Sequence, residues 1–258
     1  NQAMETKYQD RSLKFLSRGG EMGKLMREKD WSQTILGSPE CWPQSLRTVL
    51  SLMLNSKFPM FLFWGKELIC FYNDAYRPSL GFDGKHPNIL GMNGKDAWGE
   101  IWDIIKPLID QVLGGGEATW SEDQLIPIYR NSKIENVYWT FSYSPVVDET
   151  GMITGVFVTC NETTEKVNTL KATQESEKRF RLLADVMPQL IWISDGEGNP
   201  NYFNHSVFNY SGLNHDQLNK GGWIQMVHPD DREKTTEEWL KTIRSGTDFL
   251  MEHRFRRH

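Results

Sequence analysis

Apolar and polar positions recur along the chain with periods that change, and each change marks an element. In PECWPQSLRTVLSLMLNS, Leu46, Val49, Leu50, Met53 and Leu54 fall at helical spacing behind Pro43, which a first turn tolerates, so an amphipathic helix is predicted. Residues 5–40 before it are polar and broken by Gly19, Gly20, Gly23, Gly37 and Pro39, which predicts one short helix in irregular chain. From Phe58 the period shortens. The apolar run to Trp64, the Gly65-Lys66-Glu67 turn and the run Leu68 to Tyr72 predict a hairpin, and Asn73 is placed to cap a short helix through Tyr76. Trp98 to Leu113 carries a helical stripe through Ile101, Ile104, Ile105, Leu108, Ile109, Val112 and Leu113 that ends at Gly114-Gly115-Gly116, with Pro107 expected to kink the helix or start a new one. Three strands are predicted at Thr119 to Tyr129, Glu135 to Val147 and Met152 to Cys160. Two strands, short helices and three strands imply a five-stranded antiparallel sheet with helices on one face.

Residues 161–186 contain neither Gly nor Pro and predict a helix about 39 Å long at ~1.5 Å rise per residue. A heptad seam through Val167, Leu170, Gln174, Glu177 and Arg181 is apolar only at its start, so a coiled coil along it would be weak. The earlier pattern then repeats: FPMFLFWGKELICFYNDAYRPSLG begins at Phe58, and MPQLIWISDGEGNPNYFNHSVFNYSG at Met187. The second copy predicts a hairpin from Gln189 to Ser194 and Asn201 to Phe203, a helix capped by Asn204, a helix behind Pro229 that ends at Gly246, and a strand from Asp248 to Arg257. Two sheet strands fewer than in the first copy suggest an incomplete second domain.

The length of 258 residues suits two domains, and a net charge of −5 disfavours nucleic acid and anionic membranes as partners. Cys41, Cys70 and Cys160 form no CxxC and leave an odd number, against a disulfide framework or structural zinc; a reducing cytoplasm is expected. No apolar run reaches the roughly 20 residues that span a bilayer. Asn1-Gln2-Ala3 ahead of Met4 has the look of an expression scar.

The chain resembles a tandem of PAS domains, the small sensor modules of bacterial signalling proteins. FRLLADVMPQLIWISDGEGNPNYFN, YSGL and GWIQMVHPDDRE in the second copy resemble the sensory-box type. In the first copy, DWSQTILGSPECWPQSLRTVLSLML, FYNDAYRPSLG, KHP, WSEDQLIPIYRN and YWTFSYSPVVDETGMITGVFVTCNETTEKV resemble the amino-terminal PAS domain of cytosolic sensor histidine kinases. The resemblance covers nearly everything from Gly20 onward. Where the family has Asp-x-Thr before its output helix, this chain has Asn161 in place of Asp and keeps Thr163.

Candidate chemistry is sparse. His228-Pro229-Asp230-Asp231 fits helix-start chemistry better than metal or haem ligation, and His86-Pro87 is treated alike. A haem domain of this family would need an axial His on the 96–113 helix, which has none; a flavin photosensor would need an Asn-Cys-Arg run. Both cofactors are disfavoured. The cysteines are expected as buried small hydrophobes. Val137, Trp139, Phe141 and Tyr143 alternate onto one strand face and Tyr138, Thr140, Ser142 and Ser144 onto the other. A packed core explains the first face; alternatively Trp98, Trp102, Trp120 and Trp139 leave a cavity for a small organic ligand, with Phe61, Phe63, Tyr72, Asn73, Tyr76, Phe141 and Tyr143 as further candidates. No catalytic constellation is visible, and no metal site is expected.

The resulting expectation is an α+β chain of two PAS-like domains: an extension at 1–44, a domain at 45–161, a signal helix at 162–186 and a C-terminally incomplete domain at 187–258. Asn161, Thr163, Val167, Leu170, Gln174 and Glu177 are the expected relay into that helix. The resemblance implies a sensory input region of a two-component protein, a downstream kinase domain as partner, and a homodimer, with no nucleic-acid or membrane contact by this region. The alternatives are a ligand-free interaction or dimerisation module, and an enzyme of unrecognised type.

Overall fold

The structure is a computed structural model that describes residues 13–219 and 221–257. It divides into two compact units, the first ending at Asn168 and the second beginning at Thr169.

In the first unit, α1 (Gly20–Glu28) and α2 (Gln44–Asn55) precede the hairpin β1 (Met60–Trp64) and β2 (Ile69–Tyr72). Next come α3 (Gly94–Ala97) and α4 (Trp102–Leu113), then β3 (Thr119–Arg130), β4 (Lys133–Val147) and β5 (Ile153–Glu162). The five strands form one sheet in the order β2-β1-β5-β4-β3, with antiparallel neighbours throughout. The strands therefore lie where the alternation and turn signals put them, and β4 buries Val137, Trp139, Phe141 and Tyr143 on one face.

Three expectations are corrected. The Trp98 to Leu113 stretch is not a single kinked helix: a 3-10 turn spans Gly99–Ile101, α4 begins at Trp102, and Pro107 sits inside α4 without restarting it. Proline removes only the bond to the carbonyl of Asp103, an exposed residue, so that carbonyl can turn to water. Asn73 is followed by a turn and a 3-10 segment, Arg77–Leu80, in place of an α-helix. Cys41 is exposed, while Cys70 and Cys160 are buried.

Residues before α2 are not a loose extension. Leu16, Met22, Met26, Trp31 and Trp42 join the same core as the sheet. Trp31 stacks on Phe71 with centroids 5.3 Å apart, and Trp42 meets both rings edge-on at 4.9 and 5.7 Å. Phe71 pairs with Leu62, one residue out of step with the Phe61 and Tyr72 pair, so these residues cover the opposite sheet face. Both faces of the β1–β2 end are thus buried, which explains why MFLFW is apolar without alternation.

The helix α5 (Thr164–Val186) follows β5 directly and spans about 35 Å at ~1.5 Å per residue. In the second unit β6 (Trp192–Ser194) and β7 (Pro200–Phe203) form a hairpin, followed by α6 (His205–Ser211), α7 (His215–Leu218) and α8 (Arg232–Ser245). Phe203, Val207, Leu218 and Met226 make its small core. Pro229 opens a 3-10 turn ahead of α8, and Gly246 caps that helix in the left-handed region at φ 65°. The strand expected from Asp248 to Arg257 reduces to one bridge, Val227 to Phe255, since only Met226 and His228 offer it backbone partners.

Candidate functional site

Between the sheet and the α3–α4 helices of the first unit lies a cavity of about 50 Å³. β1 contributes Phe61 and Phe63, β4 Trp139, Phe141 and Tyr143, β5 Val158 and Cys160, and β3 Ile126 and Ile128. Tyr76, Trp98, Ile101 and Ile105 close it from the helical side. The strand residues share one face by the two-residue period, and the register that sets Phe61 opposite Val158, and Phe141 opposite Cys160, brings three strands to one wall. Phe61 meets Phe63 at 4.8 Å and Trp98 at 5.7 Å between centroids, and Tyr76 stacks over Trp139 at 6.5 Å.

Seven of the eleven ligand-pocket candidates, Phe61, Phe63, Tyr76, Trp98, Trp139, Phe141 and Tyr143, line this cavity. The other four do not. Trp120 lies on the back of the sheet and is 69% exposed, because it pairs with Ser142 and not with a core position. Trp102 opens α4 and packs on the outer part of the core. Tyr72 is fully buried, but its hydroxyl turns to His86 Nδ1 at 2.9 Å. Asn73 is a backbone staple: its amide donates to the carbonyls of Met53 and Phe58 and its oxygen accepts from Met60 N–H. The aliphatic lining residues and Cys160 were absent from the sequence candidates; the alternation in QLIPIYR, which sets Ile126 and Ile128 on one strand face, is a signal that could have found two of them.

The cavity is chemically quiet. Burial pushes the Tyr76 and Tyr143 hydroxyls up, so both are neutral, and it pushes the Cys160 thiol up to about 12. That thiol is no nucleophile at neutral pH. Among the described residues no group of three His, Cys, Asp or Glu could hold a metal ion.

The chain leaves the cavity wall for α5 through a dense set of bonds. Thr163 N–H donates to the Tyr138 carbonyl at 2.8 Å, and Tyr138 N–H donates to Thr164 Oγ1 at 3.0 Å. Trp139, the next residue along β4, faces the cavity. Arg130, at the end of β3, holds Glu162 with both carboxylate oxygens, at 2.8 and 2.9 Å, and also reaches Glu135 and the Ser79 carbonyl. A bulge between Ser121 and Gln124 turns Asp123 into the left-handed region at φ 48°, with its N–H on Thr140 Oγ1. Its carboxylate pairs with Lys166 of α5 at 2.9 Å. Lys166 holds the Asp123 carboxyl below its usual range; the nearby Thr163 hydroxyl adds to that, although Thr163 Oγ1 and Asp123 Oδ1 form no well-shaped hydrogen bond.

Of the relay candidates, Thr163 is buried at this junction, whereas Asn161 is exposed opposite Thr140. Val167 is half-buried and bonded back to the Thr163 carbonyl. Leu170, Gln174 and Glu177 lie exposed along α5, with Glu177 paired to Arg181. Arg130, Glu162, Asp123 and Lys166 escaped the sequence because the pairs join residues 32 and 43 apart, beyond any local pattern.

A family model described as "PAS fold" matches residues 200–258, so a PAS domain is present in the chain. An uncharacterized protein of Sinorhizobium fredii, y4lL, is 29% identical over 174 residues, which are 65% of this chain and 21% of that protein. The chain thus spans about a fifth of the length of the curated relative it matches. Among solved structures, a sensory box sensor histidine kinase from Vibrio cholerae is 21% identical with a TM-score of 0.34, covering 45% of this chain and 91% of that one. The PAS domain of Bordetella pertussis BvgS is 16% identical with a TM-score of 0.37, covering 52% and 97%. No helix among the described residues is long and apolar enough to cross a membrane.

Proposed function

We propose that this chain is a sensory input region in which the first unit reads a small molecule in the aromatic cavity and passes its state to α5. One juxtaposition supports this reading: the backbone of Tyr138 carries two of the bonds that seat the start of α5, and its neighbour Trp139 forms part of the cavity wall. A ligand that moves the Trp139 backbone in one state more than another shifts the population of seated helix. Coupling free energies between sites of this kind are typically about 1–3 kcal/mol, well within reach of two hydrogen bonds. Downstream, the reading takes a histidine kinase core as the receiver, in a cytoplasmic homodimer, on the strength of the motif resemblance from Gly20 onward.

Native mass spectrometry of the purified chain, followed by hydrogen exchange with and without any compound it carries, tests the proposal. Changed protection at the Thr163 and Val167 amides on ligand removal is expected. A removable ligand that leaves those amides untouched would refute the relay.

A second reading, an interaction module working through the back of the sheet, has one observation in its favour: the exposed Trp120, with Leu125 and Tyr129 also exposed on β3.

A further inference from the structure

If α5 carries the state of the first unit, as proposed above, the way its far end is held says where that state goes. α5 begins against β4 and β3, through the Tyr138 bonds to Thr163 and Thr164 and the Asp123–Lys166 pair. Its last turn is built into the second unit. The Ala184 carbonyl accepts from the Asn204 side-chain amide at 2.7 Å, and the Asp185 carboxylate accepts from the His205 N–H at 2.8 Å. Just past the helix, Ser206 Oγ donates to the Met187 carbonyl at 2.7 Å. Asn204 thereby does for α5 what Asn73 does for α2, whose Met53 carbonyl accepts from the Asn73 amide. One helix is thus the exit of the first unit and the opening helix of the second.

The two asparagine-held helices differ in what else secures them. α2 lies along its core, with Leu46, Leu50 and Met53 ahead of Asn73 all 0% exposed. At the same spacings ahead of Asn204 stand Glu177, Arg181 and Ala184, of which only Ala184 is buried. A buried leucine stripe would fix the direction of α5 on the second unit through area removed from water. Hydrogen bonds at one turn, with the Tyr202 ring against Phe180 and Arg181, fix its end and leave its direction to be set from the other end. Residues 168–183 are all exposed, so no burial holds α5 between its two ends, and its own backbone bonds make it one rod.

We infer that the second unit is the first receiver of the signal, and that Asn204 and Asp185 are the residues that take it up. The Asn204 oxygen also accepts from the N–H of Ile191, the residue before β6, and Asn204 itself follows β7, so a displaced Ala184 acts on both strands of the hairpin. With α5 seated on β4, Ala184 and Asp185 stand where these bonds close; with α5 unseated, the population in which they are closed falls.

Amide hydrogen exchange in the full chain, read by NMR, tests this. Thr164→Val unseats the start of α5 by removing the oxygen that Tyr138 N–H donates to. The Ile191 and His205 amides, which Asn204 and Asp185 protect, should then quicken about twofold or more, a share of one net hydrogen bond. The Gly246 amide, bonded to Thr242 in the same unit, should keep its rate. Coupling is reciprocal, so Asp185→Ala should in turn quicken the Val167 amide. Thr173→Pro breaks the rod in its exposed stretch and should abolish both cross-effects while the Tyr138 amide still responds to Thr164→Val. Should the proline variant fail to fold, Ala172→Gly with Thr173→Gly takes its place.

Quickening at Tyr138 and Val167 with Ile191 and His205 unmoved would overturn the inference and leave the relay into α5 standing. Cross-effects that survive the broken rod, or a Gly246 amide that quickens equally, would overturn it as well. A Val167 amide indifferent to Thr164→Val would remove the seating of α5 itself, and both readings with it.

Discussion

Asn73 and Asn204 make the same bonds at the same distances along the chain. Each amide donates to carbonyls 20 and 15 residues earlier, Met53 and Phe58 in one unit and Ala184 and Gln189 in the other. Each side-chain oxygen accepts from the N–H 13 residues earlier, Met60 and Ile191. One amide thus ties the end of a helix to the first strand of the hairpin that follows, and it does so twice. Both residues are fully buried, so no water can replace these bonds. The role expected of each, as a helix cap, is a minor part at most: Asn73 also accepts from Tyr76 N–H, and Asn204 makes no side-chain cap bond.

Asn73→Ala should therefore destabilise the first unit by about 2–3 kcal/mol, since it strands buried carbonyls. Asn73→Asp should be worse than alanine, because a carboxylate would face those same carbonyl oxygens. Urea denaturation followed by near-ultraviolet circular dichroism measures both. An aspartate variant as stable as the parent would contradict the staple.

Trp31, 2% exposed, donates its indole N–H to the Met26 carbonyl at 2.7 Å and stacks on Phe71. Trp31→Ala should cost about 3–5 kcal/mol, the usual range for a buried large aromatic. A chain beginning at residue 45 should fail to fold cooperatively. Cooperative thermal unfolding of that shorter chain with the midpoint of the parent would show residues 13–44 to be dispensable.

Arg130 holds the Glu135 carboxyl below its usual range. A depressed folded-state pKa adds stability above the unfolded value of about 4.3 that is lost as pH falls through the folded value. Arg130→Met should then lower stability at pH 7 and flatten its dependence on pH below about 4.5. Guanidinium midpoints at a series of pH values make the comparison. Parallel curves for the two proteins would remove Glu135 from the account.

Replacing Thr164 by Val deletes the oxygen that Tyr138 N–H donates to, at nearly constant shape. Exchange at the Tyr138 amide should quicken about three- to tenfold, with the Val167 amide following if the helix start is seated by that bond. Quickening at Tyr138 alone would leave α5 independent of β4.

Along α5, Gln174 and Glu177 interrupt the apolar seam, and Lys166, Lys171 and Lys178 stand at its flanking heptad positions. Leu at both 174 and 177 should strengthen self-association at least tenfold in sedimentation equilibrium, more so at high salt, where lysine repulsion is screened. In the parent protein the same pair should lock output. Unchanged association would place the dimer contact, if one exists, off this seam.

The strands, the turns between them, the long helix and the repeat were legible in the amino-acid order because each rests on interactions between near neighbours: alternation over two residues, helical spacing over three or four, and glycine where φ is positive. Which face of an element is covered depends on what arrives from far away in the chain. Trp120 and Trp139 belong to neighbouring aromatic-rich strands, yet one lies 69% exposed on the back of the sheet and the other is buried against the cavity. No local rule separates them; the register of β3 against β4 does. The same holds for Trp31 and Trp42, whose polar surroundings disguised core residues until Phe71 came to meet them. Arg130 and Glu162 likewise became partners only when β3 and β5 terminated at the same end of the sheet, since attraction between charges acts through space and leaves no period in a sequence.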